Sequence, residues 1–300
     1  MYLTGFADEA ARDLAGQIAA TKELGWSNIE SRAIDGVNIH DLSDERFDEV
    51  ARKLDEAGVK INCFGSAIAN WGKSVESEED FAKDMEQVRR AIPRMKRLGT
   101  KLVRIMSYAV LKDRPPEDQM KEKRFERVRA ITGEFLAAGI QPVHENCMNY
   151  GGMGWSYTLE VLENVPGLKL VFDTGNPIFT DDRTKPMPWP KQDVWEFWRA
   201  VRDHVVYIHI KHGTMVDGKM VYAYLDEGPD SSIRVIEDAA ARGYDGGISI
   251  EPHLLHVFHD PQGNPDPKRC FDGYVEYGRR TERIVRAALA KAGRPASDLA

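Results

Sequence analysis

Four short apolar runs in this sequence each deliver a residue that can hold a metal ion. "LVFDTGNP" carries Asp173, "IQPVHEN" carries Glu145, "ISIEPH" carries Glu251 and "VVYIHIKH" carries His209. One acid at a strand end means little, because Asp bonds its own backbone in turns. Four such residues share an explanation if their strand ends converge. Clustered carboxylates repel one another and resist ionising together, and a divalent cation relieves that repulsion. Carboxylates mixed with an imidazole suit manganese, magnesium or cobalt and leave zinc and iron open. The competing reading is three separate turn carboxylates and one histidine at the edge of the core.

A cation in such a site can bind two oxygens of a hydroxy-ketone and stabilise the enediolate formed when the proton between them is removed. Glu145 and Glu251 are expected to serve both as ligands and as the acid/base pair that removes and returns protons. Return to the opposite face gives an epimer, whereas return to the neighbouring carbon gives an aldose-ketose isomer.

Convergence requires a particular scaffold. Glycine marks a repeated join between a helical segment and a short apolar run, in "ELGWSNIE", "EAGVKINCF", "RLGTKLVRIM", "AAGIQPVHE" and "ARGYDGGISIE". A glycine just past a helix adopts positive φ without a clash and turns the chain back toward a sheet. The resulting units predict strands near 2–7, 28–31, 60–65, 101–106, 140–145, 168–173, 205–210 and 247–251. Helices are predicted near 10–24, 43–57, 78–98, 117–138, 156–165, 191–202, 231–242 and 272–291, with Ser77 capping the third and Pro93 bending or dividing it. Eight strand-helix units match a single-domain α/β fold, a (β/α)8 TIM barrel over residues 1–292, with 293–300 as a flexible C-terminal tail. No GxGxxG or P-loop pattern supports an open nucleotide-binding sheet. Three long connections, 174–190, 211–230 and 252–271, follow strands that carry proposed ligands and would rise around one end of the barrel.

At 300 residues, with 42% hydrophobic and 30% charged side chains, the chain can bury a substantial core. The net charge of -7 gives no broad positive field for nucleic acid. No apolar run is long enough for a membrane span, and no secretory pattern is seen at "MYLTGFADEA", so a cytoplasmic location is expected. Cys63, Cys147 and Cys270 are widely spaced and are expected to be reduced thiols.

Taken in order, "PVHEN", "VFDTGN", "IHIKH" and "SIEPH" resemble the metal-bearing strand ends of the xylose-isomerase-like barrel superfamily, especially its sugar epimerases and isomerases related to D-tagatose 3-epimerase. The resemblance spans roughly residues 1–290. It implies that Glu145, Asp173, His209 and Glu251 bind one divalent ion, commonly manganese, and that the two glutamates exchange protons with a sugar. It also implies a homodimer or homotetramer. One departure bears on substrate: ketose epimerases of this kind place a histidine three residues after the aspartate ligand, and this chain has Asn176. Asn donates and accepts hydrogen bonds but supplies no imidazolium charge.

Further substrate contacts are expected from Asn176, Lys211, His212, His253, Glu30 and Trp71, with Asn146 as an additional candidate and Trp155 and Phe179 as apolar wall. His144 should point away from Glu145 along a regular strand. "HVFHD" raises a second metal site at His256 and His259. The functional expectation is a metal-dependent isomerase or epimerase acting on a ketose, sugar phosphate or related polyol ketone. The alternatives are a metal-dependent lyase acting on a 3-keto-glycoside or an inositol ketone, and a carbohydrate-binding barrel without turnover. A DNA-repair endonuclease on this barrel would need three zinc ions, and "INCFGS" and "RIMSY" provide no histidine toward them. The expected partner is therefore a small carbohydrate, with no nucleic acid and no membrane.

Overall fold

Each predicted apolar run forms a parallel strand in the computed structural model, which describes residues 1–255 and 266–300. The strands are β1 (Tyr2–Gly5), β2 (Asn28–Ser31), β3 (Lys60–Phe64), β4 (Leu102–Ile105), β5 (Gln141–Glu145), β6 (Lys169–Asp173), β7 (Val205–Ile210) and β8 (Gly247–Ile250). From β2 to β8 each strand pairs with the next in sequence, and β1 pairs with β8, so the sheet curls into a barrel. Between β1 and β2 the join is a single bridge, Phe6 to Glu30. Around the sheet lie α1 (Leu14–Glu23), α2 (Asp44–Ala57), α3 (Glu78–Leu98), α4 (Lys121–Ala137), α5 (Trp155–Asn164), α6 (Val194–Val201), α7 (Ser231–Ala241) and α8 (Pro267–Lys291). This is the single-domain (β/α)8 architecture anticipated from the sequence.

Local chemistry sets the element ends. The Ser77 side chain accepts a hydrogen bond from the Asp80 amide at 3.0 Å and starts α3, while Gly99 at φ 70° ends it. Pro93 neither ends nor divides α3, which is one helix from Glu78 to Leu98. Its apolar face, with Val88, Ala91 and Met95, is buried and holds the helix against the barrel.

Side chains alternate across each strand, so one set points into the barrel and the other meets the helices. Cys63, Val143, Val171 and Tyr207 form an inner layer. Outside, Phe172 of β6 meets the rings of Phe197 and Trp198 at centroid distances of 5.6 and 5.3 Å. Truncating a buried ring of this kind typically costs about 3–5 kcal/mol. That packing fixes the strand whose next residue is Asp173.

One sequence expectation changes. Residues 293–300, expected as a flexible tail, are docked: Leu299 is buried in the core cluster, and Arg294 Nη1 donates to the Tyr244 carbonyl at 2.7 Å. A single leucine among small and charged residues leaves no periodic signal. The 211–230 connection contains an antiparallel hairpin, Gly213–Val216 with Lys219–Tyr222, turned at Asp217 and Gly218. Among the described residues no helix is long and apolar enough to cross a membrane.

Candidate metal centre

The four ligand candidates converge for a simple reason of register. Glu145, Asp173, His209 and Glu251 each lie two residues beyond an inward-facing residue, namely Val143, Val171, Tyr207 and Ser249. They therefore continue the inner face to the C-terminal mouth of the barrel. Asp173 pairs directly with His209 across β6 and β7, and the Glu251 amide donates to the Ile210 carbonyl at 2.9 Å. One ligand atom from each of the four lies within 4.8 Å of the others, and all four residues are buried. This is a divalent-metal-coordinating cluster.

The donor chemistry fits a cation. Glu145 Oε2 and Asp173 Oδ2 are buried without a hydrogen-bond partner among the described residues, facing Arg104 Nη1 at 3.1 Å and Lys211 Nζ at 3.2 Å respectively. His209 turns Nε2 toward Glu30 Oε2 at 3.0 Å, which leaves Nδ1, 3.4 Å from Glu145 Oε1, as its ligand atom. Carboxylate support of this kind fixes the tautomer and orientation of a ligating imidazole. Six buried acids, Asp8, Glu9, Glu30, Glu145, Asp173 and Glu251, face three permanent cations, Arg32, Arg104 and Lys211. A divalent ion would offset much of the remaining acid surplus.

The electrostatics differ from ligand to ligand. Burial opposes ionisation of Glu145, but Arg104 and His209 overcome it and hold the carboxyl at about 2. Burial pushes Asp173 up to about 6 against the pull of Lys211. Burial works against charge on His209, yet Glu30 and Glu145 raise it to about 10. For Glu251 burial is outweighed by Lys211, His253 and Arg32, so its carboxyl lies well below the ordinary range.

The remaining candidates divide into those that reach the mouth and those that do not. Asn176, Lys211, His253, Trp71 and Phe179 line a cavity of about 470 Å³ together with Glu145 and Glu251. Lys211 Nζ donates to Glu251 Oε2 at 2.8 Å, and Asn176 Nδ2 donates to Glu145 Oε1 at 3.3 Å. Glu30 accepts hydrogen bonds from Tyr207 and Ser249 and faces His209. The His212 ring nitrogens face Ser232 Oγ and the Glu227 carbonyl. Asn146 cross-links β5 to β6 through the Asp173 backbone, and Trp155 Nε1 donates to Glu196 rather than joining the wall. His144 Nε2 meets Ser107 Oγ at 3.0 Å on the other side of β5. The pair His256 and His259 falls outside the described residues.

Arg32 and Arg104 were missed as site residues. Arg32 Nη1 donates to Glu251 Oε1 at 2.9 Å, and its guanidinium lies 4.5 Å from the Phe6 ring centroid. Arg104 was signalled by "LVRIM", because a cation inside an apolar strand needs a buried partner. Glu9, Glu251 and His253 form a second acid and histidine grouping. Glu9 Oε1 already faces His253 Nδ1 at 2.8 Å and Arg32 at 3.3 Å, while Oε2 accepts from the His253 amide at 2.7 Å. This grouping braces Glu251 and His253.

Comparison with known proteins agrees with the geometry. No curated protein matches the chain. A structure of a D-tagatose 3-epimerase-like protein superposes with a TM-score of 0.71 at 17% identity, covering 96% of this chain and 99% of that one. A xylose isomerase-like barrel protein from Mycobacterium smegmatis in complex with magnesium gives 0.65 at 17% identity, covering 96% and 97%. The IOLI protein with a bound zinc atom gives 0.69 at 14% identity, covering 96% and 99%. The family model for the xylose isomerase-like TIM barrel matches residues 18–268, and the chain belongs to that family.

Proposed function

We propose that this protein is a divalent-metal-dependent isomerase or epimerase that moves a proton on a ketose, sugar phosphate or related polyol ketone. The observation that carries the reading is that Glu145 and Glu251 belong to the metal cluster and also line the cavity beside it. Glu145, Asp173, His209 and Glu251 would hold the ion, with manganese the expected choice. The bound cation would polarise the substrate carbonyl and so acidify the adjacent C–H. Glu145 and Glu251 are both held ionised at neutral pH, as proton acceptors must be. Asn176 and Lys211 reach the same space and can orient hydroxyls or an oxyanion.

A second reading, elimination from a keto-glycoside, is favoured by Lys211. Its ammonium lies beside Glu251 and lines the cavity, where it can hydrogen-bond a departing oxygen. Incubating ketoses with the manganese-loaded protein in deuterium oxide tests the principal reading. Solvent deuterium should enter the carbon beside the carbonyl, and Glu251→Gln should lower that rate by about 100-fold or more. Unchanged exchange in Glu251→Gln would reject the assigned role. Release of a substituent without stereochemical change would move the assignment to elimination.

A further inference from the structure

Trp71 lines the metal-centre cavity from the connection between β3 and α3, together with Ala67 and Asn70. Residues 70–73 form a tight turn, closed by the Lys73 amide donating to the Asn70 carbonyl at 3.1 Å. Within it the Gly72 amide donates to Asn70 Oδ1 at 3.0 Å, the bond by which an asparagine folds its own chain.

Both flanks of this turn end on one atom. Before Trp71 the Ala69 amide donates to Asp84 Oδ1 at 2.9 Å, and after it Lys73 Nζ donates to the same oxygen. Asp84 projects from α3, and both it and Lys73 are buried. Lys73 Nζ also donates to Gln87 Oε1 at 2.6 Å, and Gln87 Nε2 donates to Asp41 Oδ2 at 2.9 Å. From the connection after β4, the Tyr108 and Ala109 amides donate to the Ala69 and Lys73 carbonyls at 2.6 and 2.9 Å. Ala69 is held at φ 53°, a left-handed setting that a residue with a side chain keeps only where its surroundings impose it. An apolar pair of similar volume would fill this space without the desolvation cost of two buried charges. A carboxylate supplies what such a pair lacks, an acceptor that ties the chain on both sides of Trp71 at once.

We propose that Asp84, acting with Lys73, is a positioning residue for substrate: its carboxylate clamps the turn at residues 70–73 and so sets Trp71 as a fixed wall of the metal-centre cavity. Neither Asp84 nor Lys73 lines that cavity. The effect on substrate rests on the proposed carbohydrate chemistry, whereas the placement of Trp71 does not.

Fluorine NMR of protein labelled with 5-fluorotryptophan reads the placement directly, with magnesium loaded in place of paramagnetic manganese. The Trp71 signal is assigned by its loss in Trp71→Phe, and the other five of the six tryptophans serve as controls. Lys73→Met unties one flank and should move or broaden the Trp71 signal while the other five stay in place. Asp84→Asn, which removes the charge that holds Lys73, should do the same. With a ketose that the protein turns over, both variants should raise KM about tenfold while kcat and magnesium affinity change less than about twofold. An unchanged Trp71 signal in a folded variant would reduce the pair to a purely structural role and overturn the proposal. A moved signal with unchanged KM, or with kcat falling as far as kcat/KM, would overturn it too. Should neither variant fold, the native protein decides: its Trp71 signal should be single and sharp, and its Ala69 amide should exchange as slowly as the barrel strands. A Trp71 signal broadened by exchange, or a rapidly exchanging Ala69 amide, would overturn the clamp. Absence of turnover on every ketose would count against the proposed function, while the fluorine signal still decides the positioning role.

Discussion

Glu30 stands 3.0 Å behind His209 and fixes which nitrogen the imidazole offers to the metal cluster. Removing the negative charge should loosen that orientation. Glu30→Gln is expected to weaken manganese binding about 10–100-fold, measured by competition with a chelator of known affinity. An unchanged affinity would show that the carboxylate has no orienting role.

Lys211 is buried between two acids, 3.2 Å from Asp173 and 2.8 Å from Glu251. In the metal-free protein, Lys211→Met leaves those carboxylates without their shared cation. Urea unfolding should show a loss of about 3–5 kcal/mol, the range for breaking a buried ion pair. Saturating metal should shrink the loss, because the ion supplies the missing positive charge. Equal losses with and without metal would contradict this exchange.

Chelation should leave the barrel folded. Arg32, Arg104 and Lys211 already compensate part of the acid charge, and the apolar layers do not depend on an ion. Circular dichroism should persist after chelation, and adding metal at 100 times its dissociation constant should stabilise the protein by about 2.7 kcal/mol. Collapse of secondary structure on chelation would show instead that the ion is structural.

His40 provides a pH test remote from the metal cluster. It is fully buried, and burial lowers its pKa from 6.5 despite Asp41, with Lys73 and Arg90 acting in the same direction as burial. Well above pH 6.5 neither folded nor unfolded His40 is substantially protonated. As pH falls below that value, the unfolded chain takes a proton that the fold resists, so stability declines until the lower folded pKa is reached. His40→Gln should remove this part of the decline between pH 7 and 5, as read from urea midpoints. Parallel wild-type and variant curves would refute it.

Most of the scaffold was legible because it rests on local signals. Glycine after a helix and short apolar runs located all eight strands, and the same runs exposed the four residues of the metal cluster. The supporting shell was harder to read, since it depends on which way a side chain turns after convergence. Glu30 and His212 both lie close to site residues in sequence or space, yet one faces His209 and the other Ser232 and Glu227. Arg32 lies on the connection after β2 and reaches Glu251, 219 residues away, through a contact that no spacing rule encodes. Docking of Leu299 likewise depends on a tertiary surface rather than on periodicity.

The single bridge joining Phe6 to Glu30 makes the barrel a hoop with one narrow clasp. Because Glu30 also braces His209, loading the ion on the far arc and keeping that clasp shut belong to one linked equilibrium. Strengthening either should strengthen the other, so amide exchange along Asn28–Ser31 becomes a remote gauge of occupancy at the mouth.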